Sequence, residues 1–199
     1  MKQEKLEIIK KQLIKFKDSP LYESRIKEGN FPVMGEGSAY STIMFIGEAP
    51  GKNEAKHGKP FCGKAGEILS KHLKQIGIKR EDVYITNIVK DRPPANRDPL
   101  PEEIALYAPF LNEEINIISP KIIIPLGRFS SHFILKKYNQ EDKIRSISIL
   151  QGTPIKVGEE NNVIQILPLF HPASIIYDKK KEYFLEKGFS LLKTMIKEA

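Results

Sequence analysis

At 199 residues with 40% hydrophobic residues, the chain has the length of one domain spanning 1–199 and enough apolar matter to bury a full core. Its formal charge of +7 favours a polyanionic partner, although 32 basic against 25 acidic residues would also suit an ordinary soluble protein. There is no apolar run of about eighteen residues and no signal-peptide core, and the lone Cys62 excludes an internal disulfide or a multi-thiolate site, so a cytoplasmic protein with no membrane partner is expected.

The amino-terminal MKQEKLEIIKKQLIKF is an amphipathic, charged helix. Ser19-Pro20 breaks that pattern, and the polar stretch to Tyr40, with Gly29, Pro32, Gly35 and Gly37, predicts a loop. Thr42 to Ile46 is an apolar, buried strand that runs into GEAPG at 47–51. From Lys64, the residues Ala65, Ile68, Leu69, Leu73 and Ile76 recur at helical spacing and stop at Gly77. Val83 to Val89 predicts a strand, and Asp91 to Pro101, with four prolines, a long stiff loop of the kind that carries function. A helix begins at Pro101-Glu102-Glu103, its acidic residues at the positive end, and Pro109 is expected to kink it.

Lys121 to Leu126 predicts a third strand, Gly127 to Lys137 a helix, and Ile147 to Val157 short strands around a Gly152-Thr153-Pro154 turn. Val163 to Leu169 is the fourth main strand and delivers FHPAS at 170–174; a helix from Lys180 to Lys197 follows. The alternation implies an α/β fold with a parallel sheet covered on both faces. In such folds ligands bind at the carboxyl ends of the strands.

Three polar residues fall at those ends. Glu48 lies just past a buried strand between glycines, where it either caps a turn or joins a site with the exposed amides around it. Asn87 sits in a strand, an unfavourable place, and its amide costs roughly 1 to 3 kcal/mol if buried without a partner. His171 ends another strand on the same side; a lone histidine is usually structural, but the three together are hard to dismiss. Phe61, in PFCGKAG at 60–66, is on its own as well explained by the core as by a stacking platform.

The strings GEAPGKNEAKHGKPFCGKAGEIL, ITNIVKDRPPANRDPLPEEI, PKIIIPLGRFS and LPLFHPAS, in this order from about Phe16 to Ile176, resemble the type-4 uracil-DNA glycosylases of bacteria and archaea. The resemblance implies a three-layer α/β/α fold with a central four-stranded parallel sheet. It also implies a monomeric hydrolase that excises uracil from single- or double-stranded DNA by base flipping and leaves an abasic site; a sliding-clamp partner is left open. By similarity, Phe61 stacks on the extruded uracil, Asn87 reads its polar edge and His171 bonds its O2. Gly47, Ala49 and Gly51 supply backbone contacts, Glu48 positions or polarises the attacking water, and Glu54 lies near C5, where it excludes a thymine methyl group.

After His171, Ile175 or Ile176 resembles the wedge that enters the base stack, with core packing an equal alternative for each; Lys179, Arg92 and Arg97 are candidate phosphate contacts. The family's third residue of the first motif, an aspartate in many glycosylases, is Ala49 here, which leaves Glu48 as the catalytic carboxylate. Type-4 enzymes carry four cysteines that hold a four-iron four-sulfur cluster; the matching positions are Phe16, Ser19, Asp91 and Tyr107. None of these, nor Cys62, can ligate such a cluster, so no cofactor and no metal are expected, with packing in the cluster's place. The competing reading is a DNA-binding protein that recognises uracil or damage without cleaving; a P-loop or dinucleotide protein is disfavoured because neither fingerprint occurs.

Overall fold

The computed structural model describes residues 1–159 and 163–198. Helix α1 (Lys2–Lys15) is followed by a short helix α2 (Tyr22–Lys27) and a two-residue strand β1 (Glu36–Gly37). Next come β2 (Ile43–Gly47), α3 (Lys52–His57), α4 (Lys64–Gln75), β3 (Tyr84–Asn87), α5 (Pro101–Ile118), β4 (Ile122–Pro125) and α6 (Arg128–Lys137). The chain continues with α7 (Ile147–Leu150), β5 (Ile155–Val157), β6 (Ile164–Ile166), α8 (Ser174–Tyr177) and α9 (Lys180–Glu198).

The strands form one sheet in the order β1-β3-β2-β4-β6-β5. The four inner strands are parallel, as expected, but β1 and β5 pair antiparallel at the two edges, so the sheet is mixed and six-stranded. Side chains of the inner strands alternate between two cores. Met44, Ile46, Tyr84, Ile123 and Ile166 pack towards α1 and α5, whose Leu6, Ile9, Leu13, Leu111, Ile115 and Ile118 form an apolar stripe. Ile43, Phe45, Ile85, Ile122 and Ile124 face α4 and α9, through Leu69, Leu73, Leu185, Phe189 and Leu192. The result is three layers, with every residue of β2, β3 and β4 buried.

Several local expectations change. The stretch from Ser19 to Tyr40 is not all loop: Arg25 in α2 is buried and donates to the Asp91 carboxylate at 3.0 Å and to the Ile14 carbonyl at 3.0 Å, and these long-range bonds hold a helix that local sequence does not announce. Ile147–Leu150 forms a helical turn rather than a strand, its last amides bonded back to the Ser146 carbonyl, while Ile155–Val157 is a strand as expected. Helix α5 is not interrupted at Pro109.

The polar centre of the first core is Glu114 of α5, fully buried. Its carboxylate pairs with Lys90, also fully buried, and accepts from Tyr84 Oη at 3.0 Å, Thr86 Oγ1 at 3.0 Å and the Gly35 amide at 3.0 Å. Lys90 Nζ donates in addition to Thr86 Oγ1 at 2.7 Å and to the Asn87 carbonyl at 2.8 Å. Burial pulls the Lys90 pKa down, and the adjacent Glu114 charge opposes that pull. Removing one partner strands the other charge in the core, which costs about 3 to 5 kcal/mol. Lys90→Met is therefore expected to lower unfolding stability in urea by that amount, and Lys90→Met with Glu114→Leu to recover much of it; equal loss in both would show that the pair's charge balance is not what matters.

Candidate active site at the carboxyl ends of the strands

In the sheet order, β2 connects to β3 on one side and the chain then crosses to β4 on the other, so the topological switch lies between β2 and β4. The segments that leave β2, β3 and β6 line a pocket of about 420 Å³. Glu48, Ala49, Gly51, Glu54, Phe61, Asn87, Arg97 and His171 are all on its walls. Parallel pairing sets Gly47 directly beside Asn87, and the bridge between Leu126 and Leu169 brings Gly127 and His171 to the same level.

Close packing explains two glycines. A Cβ at Gly47 would meet Asn87 Oδ1 and the Phe61 ring, and a Cβ at Gly127 would meet the Glu48 carboxylate, where the backbone φ of +96° also suits glycine. Gly127 belongs to the site although nothing in the sequence pattern beyond a helix start marked it.

Glu48 is half-buried, and its Oε1 accepts from the amide of Phe129 at 3.2 Å, at the amino end of α6. Burial pushes its pKa up to about 7; the Phe129 bond and Arg128 pull the other way, and Asp98 adds to the rise. Because the folded state then holds the proton more tightly than the unfolded state, the stability this group contributes is lost as the pH rises towards 7.

His171 shows some ring surface to the pocket, yet the surrounding protein desolvates it and pushes its pKa down to about 4. It is neutral at pH 7. Its Nδ1 accepts from the Ala173 amide at 3.2 Å, so the ring proton is on Nε2, and Nε2 has no hydrogen-bond partner among the described residues. The Asn87 side chain is likewise nearly buried, with no hydrogen bond among the described residues. Phe61, at a positive φ of 48°, sets its ring 5.5 Å from the His171 ring.

Glu54 accepts from the Gly63 amide at 3.0 Å and so ties α3 to the loop that carries Phe61. The remaining candidates divide. Arg97 reaches the pocket wall but is clamped on Glu103 at 2.5 and 2.9 Å, and Arg92 is held by Glu28 at 3.1 Å and Asn96 at 2.7 Å. Ile175 is in the core and Ile176 is exposed; Lys179 is exposed. Tyr177, which sequence reasoning did not single out, lines the pocket.

Residues 34–194 match the model of the Uracil DNA glycosylase superfamily. The chain belongs to that superfamily. It is 40% identical over 191 residues, 96% of this chain and 84% of the relative, to a type-4 uracil-DNA glycosylase of Sulfurisphaera tokodaii. A type-4 enzyme of Saccharolobus solfataricus is 44% identical over 81% of this chain and 74% of its own length. One from Thermotoga maritima is 38% identical over 91% and 88%. The superfamily match covers every pocket wall described above.

A nitrogen-resolved NMR titration should show His171 as the neutral Nε2-protonated tautomer from pH 8 downwards, charging only near pH 4. A ring that charges near its ordinary value of 6.5 would contradict the desolvated pocket.

Proposed function

We propose that this uracil-DNA glycosylase hydrolyses the N-glycosidic bond of an extruded uracil with Glu48, Asn87 and His171, and that it works without an iron-sulfur cluster. The observation that carries the site assignment is a pair of unspent polar groups, the Asn87 amide and the His171 Nε2–H, on the walls of one pocket. An amide offers both a donor and an acceptor, which suits the alternating edge of uracil, and flipping the base exposes that edge at a cost of a few kcal/mol.

In this reading Phe61 supports the face of the base. As the bond to the sugar lengthens, its electron pair moves onto the base, and His171 donates to the O2 oxygen where negative charge collects. A neutral donor fits this role: no proton has to be lost first at pH 7. The Glu48 carboxylate faces the sugar, where positive charge develops, and orients the water that attacks the anomeric carbon. Gly47, Ala49 and Gly51 let backbone approach the ligand, Glu54 fixes the loop beside C5, and Ile176 is the better placed of the two isoleucines to enter the stack. Action as a monomer is part of the same reading. A protein that only recognised uracil would have no use for a carboxyl desolvated as Glu48 is.

The cluster-free reading rests on what fills the four positions. Tyr107 Oη donates to Asp91 at 2.5 Å, and Asp91 is further bonded to Arg25. Phe16 packs edge-on against Tyr107 at 5.6 Å and Phe110 at 5.1 Å, and Ser19 Oγ accepts from the Leu21 amide at 3.1 Å. These are poor ligands for iron, and their polar atoms are spent on one another, on Arg25 and on the Leu21 amide, so the residues present do not fit the family's cluster. Protein purified without oxygen is expected to contain no stoichiometric iron and no broad visible absorption; a cluster would overturn this part.

Incubation with an end-labelled strand carrying one uracil, single-stranded or opposite G or A, followed by alkali, should give cleavage at uracil alone. Asn87→Ala should lower the rate by roughly 10²-fold or more. Uracil-dependent binding without cleavage would instead mark a recognition protein. Since only the ionised Glu48 can stabilise the sugar cation, the single-turnover rate should climb about tenfold per pH unit below 7 and level off above it. Glu48→Gln should be slow and lack that slope.

A further inference from the structure

Exposed aromatic side chains are costly on a protein that has nothing to put on them, and on this molecule they are concentrated. Tyr177 (88% exposed), Tyr183 (56%) and Phe184 (50%) fall within eight residues of one another. Tyr177 closes α8 and lines the uracil pocket; α8 packs on α9, whose first turns carry the other two. Tyr183 and Phe184 meet edge-on at 5.5 Å, and Phe184 meets Phe170, the residue before His171, edge-on at 6.3 Å. Tyr177 thus belongs to the pocket wall, and Phe184 packs, through the buried Phe170, on the strand end that carries His171.

Lysines are interleaved with it. Lys181 Nζ lies 5.4 Å from the Phe170 ring centroid and Lys187 Nζ 4.5 Å from that of Tyr183. Of the nearby acids, Glu182 is paired with Lys71 at 2.8 Å and Asp178 accepts from the Lys180 amide at 3.1 Å, which leaves the lysines beside the rings without an acidic partner among the described residues. Flat rings set among ammonium groups at the mouth of a base pocket are the arrangement that binds unpaired nucleotides, with bases stacked on the rings and phosphates on the lysines. A protein partner would not require the lysines, nor a ring on the pocket wall itself.

We propose that Tyr177, Tyr183 and Phe184, with Lys181 and Lys187, form a stacking platform for the unpaired bases that flank the uracil in single-stranded DNA. The proposal rests on the glycosylase reading for the position of the uracil, and the platform itself is open to test apart from catalysis. Tyr183 and Phe184 are half exposed, so the double variant Tyr183→Ala with Phe184→Ala is expected to fold. By fluorescence anisotropy its affinity for a long, uracil-free single strand should fall roughly 5- to 150-fold, the range for loss of one base stack. Cleavage of a uracil oligonucleotide just long enough to fill the pocket should keep the unaltered protein's rate. On a long single strand the Michaelis constant should rise with little change in turnover, and on duplex the rise should be smaller.

Unchanged affinity for the long strand would overturn the platform, and so would an equal loss on the short and long substrates. If the unaltered protein binds strands and the variant does not, while neither cleaves uracil, the platform stands and the glycosylase reading falls.

Discussion

The buried ion pair between Lys90 and Glu114 holds together the elements on which the pocket depends. Glu114 is the only charged residue that α5 turns fully into the first core beyond its opening turns, and its carboxylate gathers donors from the loop before β1, from β3 and from the segment after β3. Lys90 returns a bond to the Asn87 carbonyl. The backbone of the residue that faces the pocket is thereby anchored to a helix on the sheet's other side. A charge pair in a core seldom adds net stability over apolar packing, but it tolerates only an arrangement in which each partner is satisfied. Here that arrangement sets the place where β3 ends.

A second polar cluster lies one residue further on. Asp91 joins Arg25 and Tyr107, and Arg25 also bonds the last carbonyls of α1, so the amino-terminal helix, α2, the proline-rich loop and α5 meet at one guanidinium. Lys90 and Asp91 are neighbours in sequence and serve separate networks that both reach α5, at Glu114 and at Tyr107. The loop from Asp91 to Pro101 consequently leaves the sheet from a fixed point and reaches the pocket wall at Pro93, Asn96 and Arg97.

Desolvation acts in opposite directions on the two titrating groups of the pocket. It raises Glu48, an acid, towards neutrality and lowers His171, a base, well below it. Both shifts favour the neutral form and both follow from the same dry surroundings. The histidine is thereby a fixed hydrogen-bond donor across the physiological range, whereas the carboxyl changes state within it. The α6 amino end, through the Phe129 amide, is the counterweight that keeps Glu48 ionisable at all.

The sequence by itself determined the inner parallel strands, the long helices and the pocket's main residues, because runs such as Ile43–Ile46 and Ile122–Ile124 have one physical use and the motifs lie where such strands end. The superfamily was legible on separate grounds, the resemblance of four motif strings in their order along the chain. It could not settle the edges: β1 is two residues long and exists through its pairing with β3, and α2 forms around an arginine whose partner is 66 residues away. Nor could it separate Ile175 from Ile176, adjacent and chemically identical, of which one went to the core and the other to solvent. The roles of Gly127, the His171 tautomer and the exposed aromatic surface were decided only by the tertiary structure. Gly127 depends on which distant atoms come within a few ångströms, and the other two on local backbone geometry and on burial, none of which a linear pattern of residue types carries.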